Sequence, residues 1–236
     1  MASLKEVKGR IASVNNTRKI TSAMKMVASA KLHKAQAAIE SMLPYERRLH
    51  HILTDFMSNC TEVTSPFIVK REVKKVAVVV FASNTSLCGG FNANVIRHLV
   101  DLLAEYKPLG LENILVFPVG KKVADAVRKL GFRIEGDFQH MADKPSYQEA
   151  ADLAADLMKR FLHGDVDKVE LLYNHFKSTA SQILTRETYL PIDLNNEKKE
   201  EERTIDYILE PSAEELMQEM LPKVLRMKTV SYTHLR

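Results

Sequence analysis

The chain has 236 residues, 45% of them hydrophobic and 27% charged, with a formal net charge of +4. That balance suits a globular chain of one or two domains with a core large enough to need no staples. No apolar run approaches the ~20 residues of a bilayer crossing. The opening MASLKEVKGR lacks a secretory signal's apolar stretch, and Cys60 and Cys88 are too few for a disulfide framework or metal site, so a reducing cytoplasm is the natural reading.

From Ser3 to about Met57 there is no glycine after Gly9 and one proline, Pro44. Small or apolar residues recur three and four apart at Leu4, Val7, Ile11 and Val14, then at Ala28, Leu32, Ala35, Ile39 and Met42. This spacing predicts a long helix with a coiled-coil seam. At ~1.5 Å per residue, some 50 helical residues would span roughly 75 Å. Such a rod reaches or transmits rather than enclosing a small molecule.

The seam breaks near residue 20. Its continuation, Arg18, Thr21 and Lys25, is polar, whereas Ile20, Ala23, Met24 and Val27 fall about half a turn away. A helix apolar on two sides in one segment touches two different things there, and the adaptable Met24 and Met26 suit that. Burial within an ordinary bundle is the plainer alternative. Up to Ile39 the helix carries Lys5, Lys8, Arg10, Arg18, Lys19, Lys25, Lys31 and Lys34 against Glu6 alone. That excess seeks nucleic acid, an acidic protein surface or lipid headgroups, unless it is simply a solvated face.

After the polar Ser58–Ser65 stretch and Pro66 the period changes. Val76–Phe81 reads as a strand buried on both faces. A loop with Leu87, Cys88, Gly89, Gly90 and Phe91 follows, and Asn92 is expected to cap a helix to about Tyr106. Ile114–Val119 is a second strand and Lys121–Leu130 a second helix, closed by Gly131, before a short edge strand at Phe132–Ile134. Ser146 with Glu149 forms a capping-box pattern opening a helix to about His163. Lys168–Tyr173, Gln182–Tyr189 and Thr204–Leu209 read as strands, with a charged loop at Asp193–Arg203 between the last two. Ser212 with Glu215 opens a last helix bearing Leu216, Met220, Val224 and Met227, with Pro222 inside it. Alternating strands and helices imply a sheet with parallel pairs covered by helices.

Candidate sites are few. The first strand-to-helix turn reads SNTSLCGGFN, without the GxGxxG of dinucleotide sites or the GxxxxGK of NTPases. Cys88 has no histidine near it in sequence. His50 and His51 adjoin, His140, His163 and His175 lack ligand spacing, and Glu200, Glu201 and Glu202 form a solvated run. No enzyme constellation, cofactor site or metal site is expected.

Ile11–Leu32, IASVNNTRKITSAMKMVASAKL, closely resembles the N-terminal helix of the gamma subunit family of F-type ATP synthases, and Ser86–Val95, SLCGGFNANV, resembles that family's glycine loop. Asn84, Thr85 and Ser86 stand where the family usually has Asp-Arg-Gly. YLPIDL and PSAEELMQEMLP match in order, so the likeness covers about residues 1–226. It implies a Rossmann-like three-layer α/β domain with a long N-terminal coiled-coil helix, acting as a non-catalytic rotor. The implied parts are a shaft helix over residues 1–58, a foot domain over 66–210 and the start of a C-terminal helix over 211–228.

The resemblance implies that the shaft turns inside a sleeve of alpha and beta subunits. The foot would meet the epsilon subunit and the c-subunit ring, at the cytoplasmic face of a bacterial inner membrane. It assigns sleeve contact to Ile20, Ala23, Met24 and Val27, electrostatic contact to Arg10, Lys19 and Lys25, and foot contact to Leu87, Cys88, Gly89, Gly90, Phe91 and Asn92. The family's C-terminal helix should continue well past Leu221. Residues 229–236 are expected to lack helical periodicity and family character, which points to a truncated or misassembled frame that would not work as a rotor. A basic coiled-coil protein associated with nucleic acid is the alternative function.

Overall fold

The computed structural model describes residues 3–59, 65–178, 181–192 and 213–234. It divides into two units, residues 1–42 and 43–236. From Leu4 on, the first is helix alone. It belongs to α1 (Leu4–Asn59), which carries the expected long helix through Pro44, where the missing N–H leaves the Glu40 carbonyl without its usual partner. From Ser3 to Lys34 every residue is exposed.

The second unit is built on a five-stranded sheet in the order β3-β2-β1-β4-β5. Its strands are β1 (Val76–Phe81), β2 (Ile114–Val119), β3 (Arg133–Ile134), β4 (Lys168–Ser178) and β5 (Ser181–Leu190). The first four run parallel and β5 lies antiparallel on β4. β1 is central and wholly buried, which explains its unbroken VAVVVF run. β4 extends six residues past its last pairing with β1 at Leu172, so β4 and β5 continue as a two-stranded ribbon. The expected strand ended at Tyr173, because alternation fades where the sheet no longer covers both faces. The strand expected at Thr204–Leu209 lies outside the described residues.

Helices cover both faces. Val76, Val78, Val80 and Ala82 pack against Val95, Leu99, Leu102 and Leu103 of α2 (Phe91–Tyr106) and Val123 and Val127 of α3 (Lys121–Leu130). On the opposite face lie α4 (Gln139–Asp143) and α5 (Tyr147–His163), with Arg160 of α5 stacked over Phe117 at 5.4 Å. Right-handed connections carry the chain from β1 out to β2 and β3, and from β3 back across to β4 on the opposite face, which places the order reversal between the carboxyl ends of β1 and β4.

Pro118 sits inside β2 without breaking it. The Val119 carbonyl accepts from Ala82 on the β1 side and the Val116 carbonyl from Glu135 on the β3 side. By alternation Pro118 turns its missing N–H toward β3, beyond that strand's last paired residue.

The last helix, α6 (Ala213–His234), runs through Pro222 and packs on α5. It corrects the expected tail over residues 229–234: helix continues to His234, with Thr229 and Val230 fully buried, while 235 and 236 lie outside the described residues. Thr229 sits there because its hydroxyl reaches Tyr189 and the Leu225 carbonyl, local bonds that a hydrophobic pattern does not register. Of the expected stripe Val224 and Met227 are buried and Leu216 and Met220 half-buried, and Met217, Leu221 and Leu225 complete the inward face.

Candidate functional site

Two surfaces carry the residues singled out by sequence. On α1, Ile20, Met24 and Val27 are 59%, 57% and 58% exposed, and they line one face with exposed Ala23 between them. The seam residues Leu4, Val7, Ile11 and Val14 are exposed as well. From Ser3 to Lys34, therefore, both apolar stripes are bare. Arg10 pairs with Glu6 one turn away at 2.8 Å, an exposed pair worth little, while Lys19 and Lys25 are exposed.

The second surface is the turn after β1. Its backbone must leave a buried strand and enter α2 within a few residues, and side-chain amides organise it. Asn92 is not the cap of α2. The cap position is Gly90, which has no side chain, and Asn92 sits one residue inside the helix, buried and turned back into the turn. Its Oδ1 accepts the Ser83 N–H at 3.0 Å. Its Nδ2 lies 2.9 Å from Ser83 Oγ, 2.8 Å from the Thr85 carbonyl and 3.1 Å from Cys88 Sγ. Ser83 Oγ in turn reaches the Thr85 carbonyl at 2.8 Å. Gly89 takes φ +56°, a left-handed conformation glycine adopts freely.

Asn84 ties the same turn outward. Its Oδ1 accepts the Lys121 N–H at 2.7 Å, at the start of α3, and its Nδ2 donates to the Gln139 carbonyl of α4 at 2.9 Å. Gly120 crosses beside this point at φ +120°, where any Cβ would overlap the Ala82 carbonyl.

The expected foot residues thus part company. Leu87 is 89% exposed, Gly89 and Gly90 are exposed, and Cys88 and Phe91 are half-buried. Asn92 is buried, and its amide serves the turn. The Cys88 thiol is bonded to Asn92, Ser83 and Thr85, none of them a base, so the turn holds no activated nucleophile. Among the described residues no group of three or more His, Cys, Asp or Glu could hold a metal.

Two further features escaped the sequence reading. Ser146 precedes α5 but makes no side-chain cap bond; Glu149, its expected box partner, pairs instead with His140 of α4 at 3.1 Å. A buried ionic cluster also ties α2 to the β4–β5 ribbon. Glu170 of β4, 1% exposed, receives Tyr106, Lys168 and Arg186. Burial alone would raise its carboxyl pKa, but hydrogen bonds from Arg186, Lys168 and Tyr106 hold it below the ordinary value. A glutamate in the middle of a buried strand run was the available signal.

The architecture defines a Rossmann-like α/β protein with a long helix bare on its apolar flanks. A family model described as ATP synthase matches residues 3–233, including most of the segment expected to lack family character. The ATP synthase gamma chain of Phocaeicola vulgatus is 79% identical over 230 residues, 97% of this chain and 80% of that one. The gamma chain of Bacteroides thetaiotaomicron is 59% identical and that of Flavobacterium johnsoniae 41%, each aligned over 80% of its length. The central stalk of Tetrahymena thermophila mitochondrial ATP synthase shares the fold, with a TM-score of 0.61 at 19% identity over 92% of each chain.

The chain belongs to the gamma-chain family of ATP synthase. It is a central-stalk component without catalytic sites of its own, those lying in the beta subunits. This assignment replaces the nucleic-acid reading of the basic helix. No described helix is long and apolar enough to cross a membrane.

Proposed function

We propose that α1 turns as part of the shaft inside a sleeve of alternating alpha and beta subunits, and that the α/β unit serves as the foot against the epsilon subunit and the c-subunit ring. Proton flow turns the ring and shaft, and the shaft's asymmetry drives the beta sites through successive affinities. The complex then holds the chain peripherally at the cytoplasmic face of the bacterial inner membrane.

The observation that carries this reading is the pair of bare apolar stripes on one helix. A monomeric soluble protein rarely leaves so much contiguous apolar surface uncovered, and such surface marks a contact. Leu4, Val7, Ile11 and Val14 suit the partner helix of a shaft. Ile20, Ala23, Met24 and Val27 suit the sleeve. Arg10, Lys19 and Lys25 suit acidic loops of the beta subunits, where charge sets encounter and register more than affinity. Leu87, Cys88, Gly89, Gly90 and Phe91 present the foot surface.

The test is assembly. This chain mixed with alpha and beta subunits should co-purify with them and restore coupled ATP hydrolysis. Elution of the chain apart from an intact alpha–beta ring would contradict the reading.

A further inference from the structure

Resting on the shaft-and-foot reading above, with α6 as the start of the shaft's partner helix, we propose that Tyr189 and Glu187 of β5 are positioning residues. They lock the register of α6 on the sheet, so that the α/β foot turns with the shaft instead of slipping around it.

The lock has two points on one strand. Tyr189 and Glu187 stand two residues apart on β5, about 7 Å along it, and so share a face. The buried Tyr189 hydroxyl donates to the Leu225 carbonyl at 2.8 Å and accepts from the Thr229 hydroxyl at 2.9 Å, which sets it between successive turns of α6. Glu187 takes Lys228 at 3.6 Å and is itself steadied by the Tyr173 hydroxyl at 3.0 Å. One point would let the helix pivot about it. Two points, holding residues 225, 228 and 229, fix both its slide and its rotation.

Packing alone would hold α6 less strictly. Its inward face includes Met217 and Met227, whose unbranched side chains adapt to more than one fit, and apolar burial has no direction. A slip of one residue, about 1.5 Å with a turn of about 100°, trades one apolar contact for another but takes the Leu225 carbonyl and Lys228 away from their partners. The helix is also weak just ahead of the lock, because Pro222 withholds its N–H from the Gln218 carbonyl. α6 is thus hinged at Pro222 and pinned within the next two turns.

The two hydroxyls can be told apart. In Tyr189→Phe the Thr229 hydroxyl, 3.2 Å from the Leu225 carbonyl, serves that acceptor, so no buried group is orphaned while the bond between β5 and α6 is gone. In Thr229→Val a buried hydroxyl is lost from α6, but Tyr189 still reaches Leu225. A purely structural role treats the two variants alike; a lock does not.

The experiment places Tyr189→Phe, Lys228→Met, their double variant and Thr229→Val in ATP synthase assembled with this chain in sealed vesicles. ATP hydrolysis and ATP-driven proton uptake are read there, and the unfolding midpoint and amide exchange of residues 225–234 in the chain alone. Exchange should rise about five-fold for each bond cut, with β1 unchanged. Hydrolysis should stay that of the parent. Protons taken up per ATP should fall by about half or more in the double variant and by less in either single one, since slip needs both points open together. Thr229→Val should keep the parent ratio.

A parent ratio in the double variant overturns the inference, as does a ratio that falls equally in Tyr189→Phe and Thr229→Val. So does loss of hydrolysis and uptake together, in step with a lowered unfolding midpoint. A parent chain that fails to assemble with alpha and beta subunits overturns the shaft reading instead, and exchange alone then decides whether β5 locks α6.

Discussion

Tyr106 donates a 2.6 Å hydrogen bond to the Glu170 carboxylate across 64 residues of sequence, joining the last residue of α2 to the start of β4. Arg186 of β5 closes the same group at 2.7 Å and reaches on to Glu105 at 2.7 Å. One buried carboxylate thus fastens a helix and the edge ribbon together.

Glu170 gives the fold an acid limit. Its carboxyl is held below the ordinary value in the folded chain, so folding favours the charged form. That contribution is fully present above the ordinary carboxylate pKa and is lost as pH falls through the lowered one. Urea midpoints measured from pH 7 to pH 3 should therefore drop on the acid side. Glu170→Gln should start about 2 kcal/mol less stable at pH 7 and lose less over the same range.

How much of this was readable beforehand depended on range. β1, β2, α2, α3 and α5 were legible because their patterns are local: a buried run, an i, i+4 stripe, a glycine at the end. The turn after β1 was recognised as a special segment, yet its wiring was not, since Asn84 meets Lys121 and Gln139 only after the chain has crossed the sheet. Asn92 was misplaced for a related reason. An asparagine after glycine reads as a cap, and only the fold shows that its acceptor serves Ser83 rather than its own helix. The end of α6 was missed because Thr229 looks polar in sequence but finds Tyr189 in space.

Gly120→Ala should be severe for one residue's change. The site holds φ +120°, and a Cβ there would meet the Ala82 carbonyl at the end of β1. A loss of at least about 2 kcal/mol is expected by chemical denaturation. Gly131→Ala, with open space around its Cβ site, should cost less than this, the penalty coming from its φ of +77° alone.

Tyr189→Phe tests the anchorage of α6. The fully buried hydroxyl donates to the Leu225 carbonyl at 2.8 Å, and burial raises its pKa well above the tyrosine value. Its removal leaves Thr229 to serve that carbonyl, so the loss should be only about 1 kcal/mol in thermal or urea unfolding. Tyr189→Ala, which opens a cavity as well, should cost about 3–5 kcal/mol.

Reversing charge on the helix should act on assembly and leave folding alone. Lys19→Glu with Lys25→Glu changes only exposed positions. Unfolding midpoints should be unmoved, while association with the alpha–beta ring should slow several-fold at low salt and approach the parent rate at high salt, as read by stopped-flow mixing.

The grip on the bare flank can be read directly from Met24, which is 57% exposed in the chain alone. Its oxidation by dilute peroxide, followed by peptide mass, should slow on the order of ten-fold once the chain is mixed with alpha and beta subunits, because a packed thioether loses contact with solvent. Equal rates for Met24 in the free chain and in a purified complex would contradict the account.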